Sequence, residues 1–133
     1  MNRQEVIERL LDHYRSPRHR GKLPDADVVR SGGHPGCGDV ITVYLKVDPE
    51  KQQVAALSFE GEGCTVSQAA ASILTEKMQH ADLAEIEALD DQEMIDILGR
   101  EVVQARVTCA TLALTTLQRA VHQYRREASK PHE

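Results

Sequence analysis

The amino-acid sequence predicts an α+β fold, in which a small three-stranded antiparallel sheet carries helices packed on one face. Between residues 40 and 60, apolar and polar residues alternate, which is typical of half-buried strands. From Thr65 onward, apolar residues recur at the spacing of amphipathic helices. Strands that precede a run of helices are typical of this class. The length of 133 residues favours one domain, spanning residues 1–133.

Three extended segments predict the sheet. Residues 40–47 and 54–60 both alternate, and a proline-containing turn at 48–52 joins them into an antiparallel hairpin. A further extended segment covers residues 26–33 and leads into a pair of glycines. In the second strand of the hairpin, the residues predicted to share one face are Ala55, Leu57 and Phe59.

Several helices are predicted around the sheet. An apolar stripe over residues 4–14 indicates the first helix, and a second stripe runs from Thr65 to Met78. Asp82 and Asp90 each precede a glutamate by three residues, which is the spacing of a capping box. This pattern predicts two short helices, one after each aspartate.

The C-terminal part of the chain is predicted to end in one long helix. The second short helix is expected to end at Gly99, and residues 100–108 are expected to form a connector. The last helix is predicted from about Cys109 to Tyr124. The charged tail, residues 125–133, is expected to be flexible.

The composition limits which binding partners and which cellular compartment are expected for this protein. The formal net charge is −5 and there is no tryptophan, so a nucleic-acid partner is disfavoured. No apolar run approaches the roughly 20 residues of a membrane span, and the N-terminus lacks the apolar core of a signal peptide. Three cysteines, an odd number, argue against a disulfide framework. We therefore expect a protein of the reducing cytoplasm, without a nucleic-acid or membrane partner.

A basic stretch follows the first predicted helix. Residues 13–22 carry several arginines around a proline and a glycine. They are interpreted either as the solvated exit of the helix or as a docking patch for an acidic partner. His13, within this stretch, is interpreted as a surface residue.

Three cysteines and one aspartate are the candidate metal ligands. Cys37, Cys64 and Cys109 each lie at a predicted element boundary, and Asp39 follows the first of them by two residues. Side chains at i and i+2 of an extended segment share a face, so Cys37 and Asp39 could reach one ion. Cys64 and Cys109 lie at predicted helix starts, which stabilise thiolate. Thiolates select zinc, copper(I) or iron–sulfur chemistry over magnesium or calcium.

The residues alone leave other interpretations open. A free cysteine is often a buried packing residue, and an isolated aspartate is often a turn or cap residue. His34 lies three residues before Cys37 and is interpreted either as an additional ligand or as a polar loop residue. A plain structural zinc domain is a third class of function, although closed structural zinc sites normally use cysteine and histidine rather than aspartate.

Four motifs occur in a fixed order along the chain. Residues 12–18 read Asp-His-Tyr-Arg-Ser-Pro-Arg and residues 34–39 read His-Pro-Gly-Cys-Gly-Asp. Residues 63–72 place a Gly-Cys pair before a helix of small residues, and residues 106–113 read Arg-Val-Thr-Cys-Ala-Thr-Leu-Ala. Together they resemble the U-type iron–sulfur cluster assembly family, which comprises IscU, SufU and the N-terminal domain of NifU. The last motif resembles the third cysteine motif of the SufU branch.

The resemblance implies a SufE/NifU-like fold in which Cys37, Asp39, Cys64 and Cys109 converge. Such a site would bind zinc or iron and, transiently, a [2Fe–2S] cluster. The implied protein is a scaffold rather than an enzyme, which receives sulfur from a cysteine desulfurase and passes the cluster to apo iron–sulfur proteins. The alternative is a zinc-dependent sulfur-transfer protein of the SufU kind, in which Cys109 accepts the persulfide.

The chain departs from both branches of the family that it resembles. Thr108 stands where the IscU branch carries a histidine before its third cysteine, so no histidine ligand is available there. The stretch between Cys64 and Cys109 is short, as in IscU, whereas SufU members carry an insertion. His34 replaces the asparagine of the family's first cysteine motif. The chain thus combines a SufU-like third motif with an IscU-like length.

Overall fold

The computed structural model describes residues 2–34 and 38–128, and for His34 it describes the backbone alone. In chain order the elements are α1 (Arg3–Arg15), β1 (Val28–His34), β2 (Asp39–Asp48), β3 (Gln53–Glu62), α2 (Thr65–Lys77), α3 (Leu83–Ala88), α4 (Asp91–Leu98), α5 (Arg100–Val103) and α6 (Val107–Ala128). The strands form one antiparallel sheet in the order β1-β2-β3, against which the helices pack. The predicted α+β class and three-stranded sheet are confirmed.

A register shift in the hairpin changes which residues of β3 face the core. Lys46 pairs with Ala56 and Val47 pairs with Val54, so Ala55 is the extra residue of a β-bulge. Leu57 and Phe59 are buried as the alternation predicts, but beyond the bulge the buried residue is Val54. The prediction that Ala55 shares their face was wrong, because simple alternation cannot anticipate an inserted residue.

Helix α6 passes through the centre of the molecule. It packs against β1 and β2 on one side and contacts α2, α3 and α4 on others. Leu114, Leu117 and Ala120 are fully or almost fully buried along it and belong to the same apolar core as Ile41 and Phe59 of the sheet. This helix ties the sheet to the remaining helices and fixes where its N-terminal end, with Cys109, lies.

The two predicted capping boxes behave differently. The Asp90 carboxylate accepts a hydrogen bond from the backbone N–H of Glu93 at 2.7 Å, as expected of an N-cap. Asp82 makes no such cap bond, although α3 does begin after it. Its carboxylate instead accepts from Nε2 of Gln53 at 2.9 Å, at the start of β3. The sequence pattern therefore predicted both helices correctly. In Asp82, however, the side chain makes a tertiary hydrogen bond instead of a cap bond.

Residues 100–108 are not a plain connector. They form α5, a 3₁₀ turn at Gln104–Arg106 and the first residues of α6. The last helix starts two residues before Cys109 and continues to Ala128, four residues beyond the predicted end at Tyr124. Flexibility of the tail remains a prediction for residues 129–133, which lie outside the described residues. Within the described ranges, no helix is long and apolar enough to cross a bilayer.

His13 lies inside the protein, not on its surface as the sequence suggested. Its side chain is 6% exposed, and its Nδ1 lies 2.7 Å from the hydroxyl of Ser72 on α2. The same hydroxyl accepts a hydrogen bond from the backbone N–H of Arg18 at 2.8 Å. This polar contact holds the exit of α1 against α2.

Candidate metal centre

Three side chains from separate parts of the chain meet at one point. The carboxylate of Asp39 and the sulfurs of Cys64 and Cys109 lie within 4.8 Å of one another. Asp39 is the first residue of β2, Cys64 precedes α2, and Cys109 lies in the first turn of α6. Two sulfurs and a carboxylate oxygen at this separation could bind one metal ion or two neighbouring ones.

Asp39 is the buried member of this cluster and is fixed by several donors. It is 1% exposed, and its Oδ1 accepts a hydrogen bond from the Cys64 backbone N–H at 2.7 Å. Burial acts to raise the pKa of this carboxyl, but hydrogen bonds from Cys109, from Cys64 and from Ser67 outweigh burial and lower the pKa below its usual value. The carboxylate form is therefore the one that the site stabilises.

Cys64 is both the N-cap of α2 and a candidate ligand. Its backbone is extended, and its sulfur accepts the N–H of Ser67 at 3.5 Å. Its thiol points to Asp39, with the sulfur 3.4 Å from Oδ2. Half-exposed, Cys64 has some solvent access, whereas Asp39 does not. The same helix start thus orients the thiol and places backbone N–H groups around it.

Gly63 makes room for Asp39 beside Cys64. Its φ is +145°, a conformation that favours glycine, and a Cβ built there would lie 2.0 Å from Oδ1 of Asp39. A side chain at this position would have to displace the carboxylate. The glycine before the second cysteine is therefore a packing requirement of the site itself.

Cys109 joins the cluster from the first turn of α6. It is 1% exposed and hydrogen-bonds with the Asp39 carboxylate. A cavity of about 400 Å³ reaches it, lined by residues of the 3₁₀ turn and the start of α6: Gln104, Ala105, Arg106, Val107, Thr108 and Cys109. Arg106, three residues before Cys109, also borders that cavity.

Cys37 and the side chain of His34 lie outside the described residues. The described residue nearest to Cys37 is Gly38, in a left-handed turn with φ of +70° that leads directly into Asp39. The backbone of His34 pairs with Asp39 across the sheet. The structure thus brings together three of the four predicted ligands, and the ligand roles of Cys37 and His34 stay predictions.

Ser67 and Gln68 support the cluster and were not identified as site residues from the sequence. Ser67 is fully buried, and its hydroxyl can donate its single proton either to the Cys64 carbonyl, at 3.1 Å, or to the Asp39 carboxylate. Nε2 of Gln68 donates to the Ser67 hydroxyl at 3.2 Å. A serine three residues after an N-cap is the one sequence signal that could have indicated this contact.

Fold and site together define a small α+β domain with a thiolate–carboxylate cluster able to bind metal. Comparison with known sequences is consistent with that class. The chain belongs to the family described as NifU-like N terminal domain, which it matches over residues 5–131.

Individual relatives come from more than one branch of this family. The chain is 36% identical over 130 residues to the iron-sulfur cluster assembly scaffold protein IscU of Thermotoga maritima, covering 86% of this chain and 90% of that protein. It is 33% identical over 129 residues to the zinc-dependent sulfurtransferase SufU of Bacillus subtilis, covering 84% and 86%. A crystal structure of a nitrogen-fixing NifU-like protein (N-terminal) from Brucella abortus has the same fold, with a TM-score of 0.76, 20% identity and coverage of 90% and 94%.

Proposed function

We propose that this protein is an iron–sulfur cluster assembly scaffold. It would collect iron and sulfide, hold a [2Fe–2S] cluster transiently, and pass the cluster to apo iron–sulfur proteins. The observation that carries the proposal is the meeting of the Asp39 carboxylate with the thiols of Cys64 and Cys109 within 4.8 Å. Membership of the NifU-like N terminal domain family and the scaffold relatives support it.

The cluster is transferred to other proteins rather than retained, and the set of ligands suits a cluster that must be released. We propose Cys37, Asp39, Cys64 and Cys109 as its ligands, Cys37 because it precedes Asp39 by two residues. Asp39 supplies a hard oxygen ligand, weaker for iron than sulfur. When the site is empty, the same carboxylate accepts hydrogen bonds from the thiols of Cys64 and Cys109. The metal-free site is thereby stabilised, which favours release.

The sulfur donor in this scheme is a cysteine desulfurase that presents a persulfide. Thiols that must stay reduced to accept sulfur and iron suit a reducing compartment, which supports the cytoplasmic location expected from the sequence. The half-exposed sulfur of Cys64 is the more accessible of the two described thiols, so delivery at the described part of the site would begin there.

A second candidate function is zinc-dependent sulfur transfer. The similarity to the SufU of Bacillus subtilis and the SufU-like motif at residues 106–113 favour it. In this scheme Cys37, Asp39, Cys64 and Cys109 hold zinc. The Cys109 thiolate then attacks the outer sulfur of the desulfurase persulfide, forming a new S–S bond and releasing the enzyme's thiolate. The cavity that reaches Cys109 offers a path, but the sulfur is buried and would have to move outward.

Metal and sulfide analysis of anaerobically purified protein tests both functions. Near-equal iron and acid-labile sulfide, lost in Cys64→Ser, would establish the scaffold. Serine retains an N-cap oxygen, so this variant removes the thiolate while keeping the helix start. Zinc near one per chain without sulfide, together with zinc-dependent stimulation of a cysteine desulfurase that Cys109→Ser abolishes, would establish the sulfur relay.

A different result would overturn both proposals. If the protein holds zinc, unfolds when a chelator removes it, and has no effect on a desulfurase, it is a structural zinc domain. A folded protein that contains neither metal nor sulfide, and takes up neither on reconstitution, would exclude a metal function for the Asp39 cluster.

A further inference from the structure

A cationic cleft lies beside the second half of α6, away from the candidate metal centre. Its volume is about 390 Å³, within the range of small-molecule sites. Arg119 follows Cys109 by ten helical residues, which places the two Cα atoms roughly 15 Å apart along the helix. The residues that line the cleft are Arg30, Thr115, Gln118, Arg119, His122 and Arg126.

The charge of this cleft opposes that of the whole protein. Three of its six lining residues are arginines and none is acidic, whereas the chain has a formal net charge of −5. Arginine remains charged at any physiological pH and presents a planar fork that matches carboxylate and phosphate oxygens. This cleft is therefore locally positive despite the acidic composition of the chain.

Some arginines elsewhere on the described surface have carboxylate partners, whereas Arg30 and Arg119 in the cleft have none among the described residues. Arg100 pairs with Asp96 at 2.9 Å and Arg125 pairs with Glu87 at 2.7 Å. Among the described residues, Arg119 has no ion pair or hydrogen-bond partner. The hydrogen bond of Arg30 goes to a neutral acceptor, Oε1 of Gln123, at 3.1 Å.

The walls of the cleft are fixed before any ligand enters. Arg30 is half-buried and its bond to Gln123 ties strand β1 to α6. Nε2 of Gln118 donates to the carbonyls of Ile86 and Leu89, at 3.1 and 2.6 Å, which anchors the opposite wall to the end of α3. Preorganised donors lose less conformational entropy on binding than mobile surface side chains do.

Like charges on one helix face carry a cost that an anion would remove. Arg119, His122 and Arg126 follow one another at i, i+3 and i+7, so they form one stripe of α6. The guanidinium groups of Arg119, Arg126 and Arg30 line the same cleft, and like charges held close together repel. A bound anion would relieve this repulsion while pairing with the guanidinium groups of Arg30 and Arg119, which have no carboxylate partner among the described residues.

We propose that this cleft binds a small polyanion, carrying several carboxylate or phosphate groups, at a site independent of the metal centre. Arg30 and Arg119 bind its oxygens, and the hydroxyl of Thr115 is placed to add a hydrogen bond. The ligand chemistry is the oxyanion group, which either a polycarboxylate or a polyphosphate supplies.

Titration calorimetry of the full-length protein with citrate and, separately, with pyrophosphate at constant ionic strength tests the proposal. Saturable binding at one site per chain is expected for at least one of them, and the pair distinguishes carboxylate from phosphate. Arg119→Ala should weaken that binding about tenfold, as expected when a charged hydrogen-bond donor is lost.

The matched control is Arg125→Ala, one residue from the cleft on the same helix, which should change the affinity less than twofold. Citrate and pyrophosphate also chelate metal ions. Any removal of metal from the site at Cys64 would, however, contribute equally in wild type and in Arg119→Ala. Equal affinity in these two proteins, or heat that follows ionic strength alone, would overturn the proposal. The metal content of Arg119→Ala should match wild type, which separates this site from the proposed scaffold function.

Discussion

The backbone N–H of Cys64 donates a hydrogen bond to Oδ1 of Asp39, and the thiol of the same cysteine points to Oδ2. One residue thus binds both oxygens of a buried carboxylate. The orientation of Asp39 depends on where α2 begins, since Cys64 is the N-cap of that helix. Substitutions that alter the start of α2 should therefore change how tightly the site binds metal.

Gly63→Ala should damage the metal centre more than the fold. The new Cβ would overlap Oδ1 of Asp39, so the carboxylate must turn away. We expect metal affinity to fall about 10- to 100-fold, as when groups that orient ligands are altered. Competition with a chromogenic chelator measures it.

Gly21→Ala is the matched control for Gly63→Ala. Its φ of +142° is nearly the same, but a Cβ there meets nothing within 4 Å. Both variants should lose about 1–3 kcal/mol of stability through backbone strain, yet Gly21→Ala should retain wild-type metal affinity. Equal loss of metal in the two variants would contradict the role given to Gly63.

Asp39→Ala should slow the release of a bound cluster. The carboxylate stabilises the empty site by accepting hydrogen bonds from both described thiols, and alanine removes that stabilisation. Transfer of the cluster to an apo-ferredoxin, followed by circular dichroism, should be slower than for wild type. Faster loss of the cluster from the variant would contradict this role for Asp39.

Gly99→Ala should destabilise the fold and leave the metal centre intact. Gly99 has a φ of +110°, and a Cβ there would lie 2.4 Å from Cγ1 of Val6 on α1. Overpacking of this kind costs about 1–3 kcal/mol, measurable by urea unfolding. Because the clash involves Val6, the double variant Val6→Ala/Gly99→Ala should lose less stability than the sum of the single variants. Strict additivity would argue against the contact.

Acid should destabilise the protein partly through His13. Burial and the positive charge of Arg18 lower the pKa of His13 below its ordinary value of 6.5, against the opposite effect of Glu76. The unfolded chain therefore takes up this proton at a higher pH than the folded chain does. The stabilisation is complete above pH 6.5 and is lost as the pH falls through the lower folded pKa.

His13→Asn isolates this contribution. Asparagine can retain a hydrogen bond to Ser72 but does not titrate. The free energy of unfolding should fall less between pH 7.5 and 5 in the variant than in wild type. The difference between the two slopes, rather than either slope, is the test, because the remaining titratable groups contribute the same acid sensitivity to both proteins. Parallel slopes would exclude His13.

Alternation and helical periodicity were sufficient to predict the sheet and the main helices, because these patterns record which side of an element is buried. They failed where a tertiary contact decides the outcome. The bulge at Ala55 depends on pairing with β2, and burial of His13 depends on Ser72, which is far away in the chain. Asp82 likewise turns to Gln53 across a tertiary contact.

The candidate metal ligands could be identified from the sequence. Their proximity in space could not be derived from their separation along the chain. Asp39, Cys64 and Cys109 were singled out by residue type and by position at element boundaries. Only the packing of α2 and α6 against the sheet brings them together. The supporting role of Ser67 was missed because a serine three residues after an N-cap is a weak signal that does not by itself indicate contact with a buried carboxylate.

The three described ligands stand at the starts of elements that are far apart in the chain, so no short fragment of the protein can assemble them. A partly folded molecule, with α6 undocked, would have Asp39 and Cys64 in place but lack Cys109. Metal uptake should therefore be among the last events of folding, and tight binding should be confined to molecules whose final helix has docked. Metal occupancy would then report the fraction of newly made chains that are correctly assembled.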